Sequence, residues 1–148
     1  MSIEAGPADY QPHTITTHFD ELAKALLVGA DICEAYDPSD AEADTPEHRK
    51  VIALWDTGAT ISVISEETAD QLDLFAIGKI YINHADGQIE CNTYIVNLYL
   101  DSQIEFPGVV VACSHLPGID MLIGMDVITQ GDFTIANVEG KTVFSYSV

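Results

Sequence analysis

The sequence is short of positive charge. Five Lys and Arg stand against 24 Asp and Glu in 148 residues, a formal −19 at pH 7 with a pI near 4.1. A nucleic-acid partner is excluded on that ground, because phosphate binding needs Lys and Arg. An acidic membrane surface is disfavoured for the same reason. The acidity reads first as a solubility device and second as a sign that assembly works best in mild acid. Cysteine is scarce too. Cys33, Cys91 and Cys113 are odd in number, lack CxxC spacing and are flanked by apolar or strand-like residues. They read as buried free thiols and not as zinc ligands, which fits a reducing, cytoplasmic location. The five histidines are scattered, and His84 near Asp86, the one close pair, reads as an exposed loop residue. There is no HExxH pattern, so neither a metal nor another cofactor is expected. No apolar run approaches the roughly 18 residues of a membrane span. Met1 to Pro7 have no basic start and no apolar core, so no secretory signal is expected.

What is present is a core. Hydrophobic residues make up 47% of the chain, and its length fits one domain. Residues 1–23 read as an N-terminal arm of unknown role, with two prolines and the polar run His13 to His18; residues 24–148 read as the folded domain. Ala25 to Cys33 reads as a strand, although Asp20 to Leu27 alone would suit a short helix. Asp37 to Glu47, with Pro38, Pro46 and no base, reads as a solvated loop. Val51 to Trp55 is a continuous apolar run, as in a strand buried on both faces, and it delivers Asp56. After Ile61 to Ile64, Ser65 is a suitable N-cap. Glu66 and Glu67 then suit the positive end of a helix running to about Leu72.

The remainder reads as short strands and turns. Ile80 to Asn83 and Ile89 to Asn92 flank Ala85-Asp86-Gly87-Gln88, a strong hairpin signal. Tyr94 to Leu100 partly alternates, and Ile104 to Val111 is a strand interrupted by Pro107-Gly108. Met121 to Ile123 is short and apolar. Phe133 to Ala136 and Thr142 to Tyr146 form a hairpin around Glu139-Gly140. The fold class is therefore mostly β, with one or two short helices.

Three features could carry chemistry. Asp56-Thr57-Gly58-Ala59 follows a buried strand directly, where a carboxylate is costly to desolvate. Leu122-Ile123-Gly124 is a second apolar strand running into a glycine and a helix-like stretch. The Asp86-Gly87 hairpin is the third. Each alone also reads as an ordinary turn. Together and in this order they resemble the retropepsin-like aspartic peptidases, the family of retroviral proteases and their cellular and bacterial relatives. Leu54-Trp55-Asp56-Thr57-Gly58-Ala59 matches the family's active-site signature. Ala85-Asp86-Gly87 stands where the family carries its substrate-binding flap. Leu122-Ile123-Gly124 matches the element that crosses behind the catalytic loop and, with Ala59, supports it.

Met125-Asp126 departs from the Arg that viral members carry after that glycine. Thr60-Ile61 replaces the acid pair of many viral enzymes. Both differences point towards the cellular or bacterial branch.

The resemblance implies a small, closed β-barrel-like acid protease subunit that hydrolyses peptide bonds in a protein or peptide substrate. That chemistry uses two carboxyls around one water, and two carboxyls sharing a site cannot both ionise comfortably. Only one Asp-Thr-Gly is present and no second apolar strand ends in a comparable loop, so a homodimer supplies the second Asp56. The resemblance further implies that Thr57 locks the two loops, that Gly58 brings its N–H to the carboxylate, and that the strand around Thr142 to Tyr146 joins an inter-subunit sheet. A non-catalytic dimerisation or peptide-binding module on the same fold is the alternative.

Two such chains carry twice the formal charge, and self-repulsion opposes their pairing. Dimer affinity is expected to rise as pH falls from about 7 towards about 5, as carboxylates begin to protonate. Sedimentation at low salt measures this, and an unchanged affinity across that range would refute the charge argument.

Overall fold

The computed structural model describes residues 11–148, apart from the side chain of His84. Residues 1–10 of the arm lie outside the described residues. The described chain runs β1 (Thr14–His18), β2 (Leu27–Glu34), β3 (Arg49–Trp55), β4 (Val63–Ser65), α1 (Glu66–Gln71), β5 (Gly78–His84) and β6 (Gly87–Tyr99). It continues β7 (Glu105–Ser114), β8 (Met121–Ile123), α2 (Met125–Ile128), β9 (Asp132–Val138) and β10 (Lys141–Ser147). The architecture is mostly β with two short helices, in keeping with the sequence pattern. Among the described residues no helix is long and apolar enough to cross a membrane.

Seven strands form one sheet in the order β2-β3-β8-β4-β7-β6-β5. An additional β2–β6 pairing joins six of them into a ring and leaves β5 outside it. The long β6 belongs to both parts: Thr93 to Tyr99 pair with β7, while Gly87 to Thr93 pair with β5. The β5–β6 hairpin is thus an extension of a core strand. Pro107-Gly108 does not end β7. The register with β6 shifts between Val96 and Leu98, and buried Asn97 stitches the irregularity by accepting the Gly108 N–H at 2.9 Å and donating to Tyr36 O at 3.0 Å. A buried amide satisfied at both ends avoids the desolvation penalty that would open such a bulge.

The apolar run Val51 to Trp55 is buried on one face only, which corrects the expectation for β3. Val51, Ala53 and Trp55 are buried, whereas Ile52 is 53% exposed. Alternation along the strand turns Ile52 outward, where no second layer covers it. Asp20 to Leu27 takes no helix; its last residue opens β2. At α1 the capping residue is the expected one: Ser65 Oγ accepts the Thr68 N–H at 3.1 Å. Cys33 and Cys91 are buried free thiols, and Cys113 is half-buried.

A second sheet has the order β1-β10-β9. The polar run from His13 to His18 enters it as β1, antiparallel to β10 with Thr14 opposite Ser147 and His18 opposite Val143. Both neighbours of β10 therefore come from its own chain, and β10 has no edge left for a partner's strand. Its inner face carries Thr142, Phe144 and Tyr146 into the core. Trp55 packs on this sheet, its ring centroid lying 5.7 Å from Phe133, 5.2 Å from Phe144 and 4.8 Å from Tyr146. The residue that precedes Asp56 thus rests on β9 and β10. Burial, with Asp132 adding, pushes the Tyr146 phenol up to about 12, so it stays a neutral donor to Val127 O at 2.7 Å.

Phe144→Ala is expected to cost about 3–5 kcal/mol, because it empties a fully buried aromatic site. Tyr146→Phe removes only one hydrogen bond and is expected to cost about 1 kcal/mol. Urea denaturation followed by Trp55 fluorescence separates the two; similar losses would mean that packing does not dominate this sheet.

Candidate active site

Strands β3 and β8 run parallel, with Trp55 opposite Ile123, so the two chains leave the sheet side by side as Asp56 and Gly124. Asp56 N–H donates to Ile123 O at 2.8 Å, which fixes where the loop begins. The loop then turns tightly, with Ala59 N–H donating to Asp56 O at 3.2 Å. Gly58 N–H donates to Asp56 Oδ1 at 2.9 Å. A Cβ on Gly58 would sit 3.1 Å from that oxygen, so a side chain there would crowd the carboxylate. Asp56 is half-buried and Thr57 exposed. Among the described residues the Thr57 hydroxyl has no hydrogen-bond partner.

Gly124 crosses immediately behind this loop. A Cβ there would lie 2.7 Å from Ala59 O and 2.8 Å from the backbone of Ile61, closer than packed atoms come. Met125 N–H donates to the same Ala59 O at 2.8 Å. A second tie was not among the residues singled out from the sequence. Ser62, fully buried, gives its N–H to Asp126 Oδ2 at 3.0 Å and its hydroxyl to Asp126 Oδ1 at 2.8 Å. The same hydroxyl accepts the Gly124 N–H at 3.0 Å. Two signals pointed here: a serine inside the apolar segment Ile61 to Ile64, and an Asp126 where the viral pattern differs. Leu122 and Ile123 lie in β8 and Gly124 caps α2, so Ala59, Leu122, Ile123 and Gly124 meet at one crossing.

Facing the loop is a cleft of about 490 Å³, lined by Gly58 to Ile61, Val63 and Leu122 on one side and by Ile80 to Asn83 of β5 on the other. It is larger than the hollow of about 230 Å³ among Glu34, His48, Arg49 and Asp73. Strand β5 contributes its middle to the cleft; Ala85, Asp86 and Gly87 form the hairpin tip beyond it, with His84 paired to Gly87. Ile80 and Ile82 pack with Ile61, Leu116 and Leu122 over Val63, Cys91 and Ala112. The cleft walls are therefore mainly aliphatic and uncharged, with Thr60, Tyr81 and Asn83 as their polar members. Sequence reading placed Ile80 to Asn83 on a strand without assigning them to the site.

On the hairpin's other face Lys79 Nζ pairs with Glu90 Oε1 at 2.8 Å. The Lys79 hydrogen bond and charge hold the Glu90 carboxyl below its ordinary 4.5. A depressed carboxyl stabilises above its ordinary value and ceases to as pH falls through the lowered one, so the pair is intact between about pH 5 and 7. Both groups are exposed, so its contribution is small. Burial, with Glu66 next, pushes the Cys113 thiol up to about 11, which makes it a poor nucleophile.

Comparison with known proteins gives a family and a fold. Residues 45–130, more than half of the chain, match the family model described as gag-polyprotein putative aspartyl protease. The matched span holds the Asp56 loop, the hairpin and the Gly124 crossing, and stops before β9. Among solved structures the chain is similar to a retropepsin-like aspartic protease from Rickettsia conorii, with TM-score 0.55 and 11% identity over 94% of this chain and 97% of that one. At that identity the likeness is one of fold. No curated protein matches the chain.

Asp126→Ala leaves the buried Ser62 N–H and hydroxyl without their acceptor and is expected to cost about 1–3 kcal/mol. Because Ser62 and Asp126 act as one unit, the Ser62→Ala, Asp126→Ala double variant should be scarcely worse than the worse single one. Full additivity in urea titrations would show that the two residues are uncoupled.

Proposed function

The chain belongs to the retropepsin-like aspartic peptidases of the gag-polyprotein type, and from that premise we propose that it is one subunit of a homodimeric aspartic endopeptidase. The observation that carries the reading is the Asp56 loop itself. One carboxylate, oriented by the Gly58 N–H, heads the loop whose following residues, Gly58 to Ile61, line an uncharged and mainly apolar cleft, once per chain. In the dimer two Asp56 carboxyls flank a water. One takes a proton from the water as its oxygen attacks the peptide carbonyl carbon, and the other gives a proton to the carbonyl oxygen. The tetrahedral intermediate then collapses: one of its hydroxyls returns a proton to the carboxylate that gave one, the C–N bond breaks, and the amine leaves with the proton that the other carboxyl took from water.

The remaining residues take supporting roles in this reading. Thr57, whose hydroxyl has no hydrogen-bond partner among the described residues, bonds across to the partner's loop. Ala59, Leu122, Ile123 and Gly124 hold the loop from behind. Ala85, Asp86 and Gly87 form the flap tip that closes over an extended peptide and excludes water. The free thiols suit a reducing compartment such as the cytoplasm.

A mixed peptide library digested at pH 5 and pH 7 by the parent and by Asp56→Asn, read by mass spectrometry, tests the proposal. Cleavage by the parent alone is the expected result, with a loss of at least about 10³-fold in the variant. Equal cleavage by both would end the dyad reading. No cleavage by either, from protein shown to be dimeric, would favour a peptide-binding module.

A further inference from the structure

Resting on the reading that two Asp56 loops must meet, we propose that the second copy docks on the open edge of β9. The two central strands of a six-stranded sheet would then be β9 and its symmetry mate. The C-terminal strand β10 cannot serve, because β1 and β9 occupy its two edges. The remaining edges of this sheet are those of β1 and β9.

Backbone direction identifies the groups concerned. Thr142 N–H donates to Glu21 O and Thr142 O accepts the Phe19 N–H, so the backbone of Thr142 points towards the β1 side. Alternation then turns Val143, Ser145 and Ser147 towards β9, opposite Ala136, Thr134 and Asp132. The N–H and C=O groups of Phe133, Ile135 and Asn137 are left facing away from β10. Among the described residues no strand pairs with them. By the same count β1 turns Thr14, Thr16 and His18 outward.

Three observations favour β9 over β1, and a fourth, which β1 shares, leaves the β9 edge unguarded. It has seven residues against five. From Phe133 to Val138 it contains no Pro, Lys or Arg, the usual guards of an edge strand. It exposes apolar side chains, with Ile135 at 47% and Val138 at 61%, where β1 exposes Thr14, Thr16 and His18. Finally, Phe133 packs against Trp55, so β9 runs directly beneath the catalytic loop that the symmetry axis must join.

An antiparallel strand paired with its own copy is self-complementary, as a two-fold axis demands. Edge groups at odd positions pair only with odd positions. A register centred on Ile135 sets Phe133 opposite Asn137 and Asp132 opposite Val138, so no acidic residue of the strand faces its own copy.

Amide exchange and a proline variant test this. On concentration from monomer to dimer, the parent's Phe133, Ile135 and Asn137 amides should slow at least tenfold, and those of Thr14, Thr16 and His18 should not. Ile135→Pro removes an outward N–H while leaving the β10 bonds in place. It should stay monomeric where the parent is dimeric, with Trp55 fluorescence unchanged and peptide cleavage lost. Slowing at β1 instead, no slowing at β9 on dimerisation, or a folded Ile135→Pro that dimerises like the parent would each overturn the β9 interface and leave the dyad untouched. A parent that cleaves peptides as a monomer would overturn both.

Discussion

The crossing of Gly124 behind Ala59 and Ile61 is the constraint on which the site depends. Two parallel strands, β3 and β8, deliver their ends to one place, and backbone must lie on backbone there with no side chain between. That contact lets Met125 N–H reach Ala59 O and brings Asp126 to Ser62. The Asp56 loop is therefore held from behind by three kinds of tie: a strand ladder, a main-chain hydrogen bond and a half-buried carboxylate bound to buried Ser62. Its front, with half-buried Asp56 and exposed Thr57, is left open, and Gly58 to Ile61 face the cleft. Holding a reacting group through its rear surface is what allows it to be both exposed and fixed.

The parts of this arrangement written in local pattern were legible in the sequence. Asp56-Thr57-Gly58 after an apolar strand, Gly124 after another, Asp86-Gly87 between strands and Ser65 before Glu66 each combine a conformational demand with the residue that meets it. What depends on the layer above was not legible. A run such as Val51 to Trp55 says that a strand is apolar but not which of its faces is covered, and Ile52 proved exposed. Ser62 resembled any small member of an apolar segment, since only its three-dimensional neighbours Asp126 and Gly124 give its hydroxyl a purpose. The same holds for Thr14 to His18. Five residues with two inward positions, Ile15 and Thr17, offer almost no periodicity, and the strand exists because β10 supplies its ladder.

The flap follows a similar logic. Its tip carries the recognisable turn, but the tip lies beyond the cleft, and the wall facing the loop is Ile80 to Asn83. Because β6 continues from the hairpin into the ring, the root of the hairpin is tied into the core ladder, and Ala85 and Asp86 form the turn farthest from it. Aliphatic packing of Ile80 and Ile82 on Ile61 and Leu122 closes the cleft without a charge in it. A peptide entering there would exchange these contacts for its own side chains at little electrostatic cost.

Charge then decides where a second copy can approach. Five basic residues cannot neutralise 24 acids, so most of the surface repels its own kind, and salt screens only the longer-range part of that repulsion. The three-stranded sheet is an exception. Its outward face presents Thr14, Thr16, Thr134, Ser145 and Ser147, with Thr14 and Thr16 hydroxyls bonded to those of Ser147 and Ser145 at 2.7 and 3.2 Å. Acids on its strands are confined to Asp132 at the start of β9, and Lys141 stands at the start of β10. A seam through this sheet would bring the least like charge into contact, use backbone groups that need partners, and lie under Trp55. In the proposed homodimer a chain with one Asp56 and a large excess of other acids needs such a seam, because the two Asp56 carboxyls are the only acids whose meeting would have a chemical return.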